Sequence, residues 1–114
     1  MGRFDVYEFI ALIRPRPAMW LGSHSLVKLR SFLDGCFYMA EEHGIECCGR
    51  PDFGGLHDWV AMRFGWYEST AGWCNIIVKE CGGDEGKALD RFFELIEEYR
   101  QCAVPGTSPV SDGV

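Results

Sequence analysis

The sequence predicts a mostly α-helical fold: one compact domain, a bundle of about five helices over residues 1–102, with a flexible C-terminal tail over 103–114. Three observations predict it. Apolar residues recur at spacings of three and four through most of the chain, the period of one helix face. Prolines, glycines and capping side chains fall between those segments, where helices stop and start. The 114 residues, 47% hydrophobic and 14% aromatic, suffice for one core but not for two.

Taken in order, Phe4 to Ile13 carries Val6, Phe9, Ile10 and Ile13 on one face, with Asp5 in the first turn, where the helix dipole favours a carboxylate. Arg14-Pro15-Arg16-Pro17 stops that helix, since each proline removes a donor and biases its predecessor toward extended geometry. Ala18 to Gly22 is then expected to be an extended, partly buried connector. Ser23 or Ser25 caps the next helix, whose stripe of Leu26, Leu29, Leu33, Cys36, Phe37 and Ala40 runs to a stop at Gly44. Gly35 inside it costs up to about 1 kcal/mol relative to alanine, which suggests close packing against another helix.

Ile45 to Gly55, rich in Gly, Pro and Cys, reads as a loop, and Leu56 to Phe64 resumes helical spacing. Ala71 to Glu80 reads as a short helix. A strand over Asn75 to Lys79 is the alternative, because Ile76, Ile77 and Val78 are β-branched in succession. Gly82-Gly83 ends this segment and Asp84 caps a last helix, with Leu89, Phe92, Phe93, Ile96 and Tyr99 inward and Asp90, Glu94, Glu97 and Glu98 toward water. The expected core joins Phe9, Ile13, Leu29, Leu33, Phe37, Trp73, Ile77, Leu89, Phe92, Phe93 and Ile96. From Ala103 onward Pro, Gly, Ser and Thr dominate without periodicity, the composition of a flexible tail.

Eleven basic against seventeen acidic side chains give a net charge of −6. Such a chain repels a phosphate backbone and attracts a basic protein, so nucleic acid is not an expected direct ligand. No apolar run approaches the ~20 residues of a membrane span, and the first residues carry Asp5 and Glu8 instead of the basic-then-apolar pattern of a secretion signal. A cytoplasmic location is expected. The six cysteines, at 36, 47, 48, 74, 81 and 102, form no CxxC pair, and the adjacent Cys47-Cys48 suits neither an ordinary disulfide nor a tetrahedral zinc site. Reduced, structural thiols are expected, with no metal and no cofactor.

The candidate chemistry is thin. His57, Asp58 and Trp59 contain a base, a carboxylate and a stacking ring, but neighbours on a helix point in different directions and cannot form a relay with one another. Ser23-His24-Ser25 and Glu68-Ser69-Thr70 lie in no nucleophile elbow, and such residues serve caps more often than catalysis. His43 suits a helix C-terminus. Gly54-Gly55 and Gly82-Gly83 lack the lysine and hydroxyl of a phosphate loop and read as turns. The denser feature is acidic: between Ser31 and Met62 stand Asp34, Glu41, Glu42, Glu46, Asp52 and Asp58, opposed only by Arg50. A solvated surface explains that run, and so does a docking surface for a basic partner. Trp59, Trp66 and Tyr67 lie close by in sequence, and aromatics among carboxylates are a composition found at interface hot spots, although each also suits a core.

Glu8-Phe9-Ile10, the run from Arg14 to Gly22, then Gly72-Trp73, Gly82-Gly83-Asp84 and the Phe92-Phe93-Glu94-Leu95 of the last helix together resemble a family of small bacterial proteins encoded near polymorphic or contact-dependent toxins. Members of that family are taken to be immunity proteins. The resemblance covers most of positions 8 to 100, and its motifs are structural turns and core aromatics, so it carries no functional residue across. It implies a cytoplasmic, antitoxin-like protein that neutralises a cognate toxin domain by stoichiometric binding. The partner-binding surface is then expected around Glu41, Glu42, Glu46, Asp52, Asp58, Trp59, Trp66 and Glu68. Two other classes stay open: a small hydrolase using His57 with Asp58 or Glu68, or a thiol at Cys47 or Cys48, and a homo-oligomeric subunit joined through apolar helix faces.

Overall fold

The chain opens with a strand where a helical start was expected. In the computed structural model, which describes residues 2–66 and 72–103, Arg3–Asp5 (β1) pairs in parallel with Glu46–Cys48 (β2), Phe4 opposite Cys47. Three residues are too few to display an alternating pattern, so the segment reads as the start of the helix that follows it. The second strand lies within the segment read as a loop. Asp5 closes β1 and caps the following helix, Val6–Ile13 (α1): its carboxylate accepts from the Tyr7 amide at 2.9 Å and from the Glu8 amide.

Residues 17–21 were expected to be extended and are instead a short helix, Pro17–Leu21 (α2), which ends at Gly22 in the left-handed region, φ 84°. Two prolines do forbid a helix from passing through them. Pro17 nevertheless stands at the first helical position, where its missing N–H is no loss and its fixed φ is already helical. The long helix Leu26–Glu42 (α3) takes its cap from Ser25, whose hydroxyl accepts from the Lys28 amide and donates to Glu85. After β2 come a 3-10 turn, Phe53–Gly55, and the helix Leu56–Phe64 (α4).

Trp73–Glu80 is helical (α5), which settles the strand alternative. Gly82 and Gly83 turn the chain, and Asp84 caps Glu85–Ala103 (α6) by accepting from the amides of Gly86 and Lys87 at 2.9 and 3.0 Å. Those amides hold the Asp84 carboxyl below its ordinary range. The fold is mostly α, with six helices among the described residues, five of them long, and one two-stranded sheet. Residues 104–114, most of the expected tail, lie outside the described residues, as does Ala71.

The core gathers on α6. Ala88, Leu89, Phe92 and Leu95 are sealed against Leu26, Leu29 and Leu33 of α3, Leu56 and Val60 of α4, and Ile76 and Ile77 of α5. Of the expected core, Phe9, Phe37 and Trp73 are half-buried at its edge, Trp73 stacked on Phe92 at 5.1 Å. Gly35 departs from expectation outright: a Cβ built there would meet nothing within 4 Å, so among the described residues no helix packs against it. Among the described residues no helix is long and apolar enough to cross a membrane.

Candidate functional site

The loop 49–55 is a pinned structure. At its start Gly49 has φ 106°, and a Cβ there would lie 2.7 Å from the Asp5 carboxylate; at its end a Cβ on Gly55 would lie 2.7 Å from the Tyr99 hydroxyl. Two phenols latch the segment between them. Tyr7 donates to the Pro51 carbonyl, which follows the cis Arg50-Pro51 bond, and Tyr99 donates to the Asp52 carbonyl at 2.7 Å. Burial raises the pKa of both phenols above the ordinary value, which keeps each one a donor through the neutral range. Phe53 completes the latch, its ring 5.8 Å from Phe37, 5.9 Å from Trp73 and 6.1 Å from Tyr7.

Beside this loop an open groove of about 420 Å3 lies between α3, the 3-10 turn, α4 and α5. Phe37, Phe53 and Trp73 supply apolar wall, and Asp34, Asp52 and His57 supply its charged and polar groups. Asp34 is held by Arg30 at 3.1 Å, and the Asp52 carboxylate accepts from the Gly54 amide at 3.2 Å. The Nδ1 of His57 is the one buried side-chain nitrogen or oxygen among the described residues that has no hydrogen-bond partner. Sequence reasoning missed Phe53 and the tyrosine latch as parts of a site, and counted Asp34 in the acidic run without placing it among the docking residues. A single large apolar residue set among turn-formers, as Phe53 is between Asp52 and Gly54, was the available signal.

The expected docking residues are distributed as follows. Glu41 and Glu42 end α3, Glu46 begins β2, and Asp52 and Asp58 flank the 3-10 turn; all five are exposed. Among the described residues none of the five makes an ion pair. The carboxylates of α6 behave differently: Asp90 lies 2.8 Å from His24 Nε2, while Glu94 pairs with Arg91, Glu97 with Arg14, and Glu98 with both Arg63 and Arg91. Trp59 is half-buried with its ring 5.4 Å from that of Tyr99, and the half-buried Trp66 donates from Nε1 to Glu80 at 2.8 Å. Glu68 and Tyr67 lie outside the described residues.

His57 shares its groove with two carboxylates, neither of them the Asp58 or Glu68 considered from sequence. It hydrogen-bonds to neither, so the orienting contact that a histidine base needs is not made. All six cysteines are free thiols. Cys47 is exposed on β2 and Cys48 half-buried, while burial pushes the thiol of Cys74 up from 9.0 to about 11 and raises those of Cys36 and Cys81. Among the described residues no group of three or more His, Cys, Asp or Glu could hold a metal ion. No family model matches this chain, and no curated sequence or solved structure matches it either.

Proposed function

We propose that this protein is an immunity, antitoxin-like protein that binds a basic toxin domain one-to-one in the cytoplasm and neutralises it by occlusion, without a cofactor. The observation that carries the reading is the division of its carboxylates. Arg14, Arg63 and Arg91 neutralise Glu94, Glu97 and Glu98 of α6, whereas Glu41, Glu42, Glu46, Asp52 and Asp58 stand exposed with no ion pair among the described residues. Charge left uncompensated on a rigid surface draws an oppositely charged partner at long range and rejects acidic competitors.

The pinned loop supports the same reading. Asp52 is presented by a segment fixed at both ends, which limits the ordering cost of binding. A lysine or arginine of the partner entering the groove would have the Phe53 and Trp73 rings for its stem and Asp34 and Asp52 for its charge. The test is co-purification with the product of the neighbouring gene, followed by calorimetry. A one-to-one complex is expected, with an association rate that falls as salt rises. No complex at micromolar concentration would overturn the reading, and so would an association rate and salt slope unchanged in a Glu46→Gln, Asp52→Asn, Asp58→Asn variant.

A further inference from the structure

On the flank of α3 away from the acidic groove lies a second, apolar one, of about 500 Å3, lined by Phe4, Phe32, Gly35, Cys36, Met39 and Ile45. Four choices along this face work against an isolated monomer. Gly35 sits mid-helix with nothing near the place of its Cβ, so its weak helix propensity is uncompensated. Met39 is 51% exposed. Lys28 occupies the first turn and Glu42 the last, each at the end of the helix dipole that disfavours its sign.

All four have one geometric relation. Lys28 stands seven residues before Gly35 and Glu42 seven after it, about two helical turns each way, so the three project from the same side of α3. Ser31 and Met39 stand four before and four after. A sequence arranged symmetrically about one small residue is complementary to itself when a second copy runs antiparallel across it. We infer that the protein forms a two-fold dimer in which the α3 helices cross antiparallel at Gly35. Lys28 of each copy then meets Glu42 of the other, which assigns Glu42 to the dimer and leaves Glu41, Glu46, Asp52 and Asp58 to the toxin-facing surface, and each Met39 seats over the other copy's small Ser31. The missing side chain at Gly35 lets the two backbones approach, as ridge-into-groove packing of helices requires. The symmetry is of the isologous kind usual for homodimers. A contact built mainly on one 17-residue helix is small, so the dimer is weak and dissociates on dilution.

The test is a charge swap read by sedimentation velocity over a hundredfold range of concentration, with helical content and melting checked for each variant. The native chain is expected to pass from monomer to dimer. Lys28→Glu alone and Glu42→Lys alone should each place like charges together twice and weaken the dimer by roughly tenfold or more. Mixed in equal amounts, the two variants should form a heterodimer, since every contact is then opposite in sign. Folded single variants that dimerise as well as the native chain, or a mixture that stays monomeric, would overturn the proposal. A native chain that is monomeric throughout and binds an apolar fluorophore in the groove would assign that face to a hydrophobic ligand and overturn it too.

Discussion

Helices α6 and α3 are the two longest of the molecule and pack on each other, yet the monomer uses them very differently. On α6 the cap, the inner face and three of the outer carboxylates are matched within the chain. Asp84 caps it, Glu85 stands in its first turn and Arg100 in its last, its inner face is sealed, and its outer carboxylates meet Arg14, Arg63 and Arg91. On α3 the matched features are the Ser25 cap, the Arg30–Asp34 pair and the inner face of Leu26, Leu29, Leu33 and Ala40. Its outer side has an isolated glycine, an exposed methionine, charges set against the dipole, and at its end the first of the unpaired carboxylates. Side chains matched inside a chain stabilise it, and on the proposed function those left unmatched are where a partner would meet it. The α6 side is thus the stability of this protein and the α3 side, with the arc through Asp58, its candidate function.

The largest test of that division removes Phe92, which is fully buried and stacked on Trp73. Phe92→Ala is expected to cost about 3–5 kcal/mol, much of a small domain's stability, measured by chemical denaturation. A variant that melts with the native protein would show that α6 is not the structural half.

That division was partly legible in the sequence. The helix periods of α3, α4 and α6, the Gly82-Gly83 stop and the Asp84 cap are local signals, and each stands where the spacing put it. The β1–β2 pairing joins Arg3 to Glu46, 43 positions apart, through strands too short to have a pattern of their own. Helix α2 was hidden because a proline that ends one helix can begin another. The acidic run was legible as composition, but which acids are neutralised was not. Arg14 meets Glu97 across 83 positions and Arg63 meets Glu98 across 35, contacts that only the fold creates. The groove escaped notice for the same reason: Asp34, Phe53, His57 and Trp73 come from four different elements.

A second test uses alkali. In the unfolded chain Cys74 ionises near 9.0, whereas its buried native thiol holds its proton to about 11. The unfolded state therefore loses its proton first. Stability linked to this group is complete below pH 9 and is lost as pH rises toward 11, on the order of 2 kcal/mol in all. Cys74→Ala should flatten that decline in denaturation midpoints between pH 8 and pH 11, whereas Cys47→Ala, on exposed β2, should leave it unchanged. Equal slopes in all three proteins would place the alkaline loss elsewhere, with the buried phenols Tyr7 and Tyr99 the next groups to examine.

Glycines on the two helices offer a smaller and sharper contrast. A Cβ on Gly35 of α3 meets open space, while one on Gly86 of α6 comes within 3.3 Å of the His24 carbonyl. Gly35→Ala should therefore raise monomer stability by about 0.5–1 kcal/mol, measured at concentrations too low for association. Gly86→Ala should gain less, because the carbonyl must give way. If both gain equally, the crowding that separates the two helices has no energetic weight.

The smallest effect expected is also the most diagnostic for the acidic arc. Replacing Glu46, Asp52 and Asp58 by Gln, Asn and Asn removes three exposed carboxylates that have no ion pair among the described residues. The carboxamide introduced by Asp52→Asn retains an oxygen for the Gly54 amide, so the turn keeps its cap. Stability should change by no more than about 0.5 kcal/mol, and the sign should favour the variant at low salt, where mutual repulsion within a chain of net charge −6 is least screened. Glu97→Gln with Glu98→Gln removes two charges from α6 and should act in the opposite sense, since the arginines they face lose their partners. Denaturation midpoints of the two variants compared at low and high salt decide the matter. Salt should narrow the gap between them, and a triple variant that is clearly destabilised would mean that the arc's carboxylates hold the fold together, leaving no free charge with which to attract a partner.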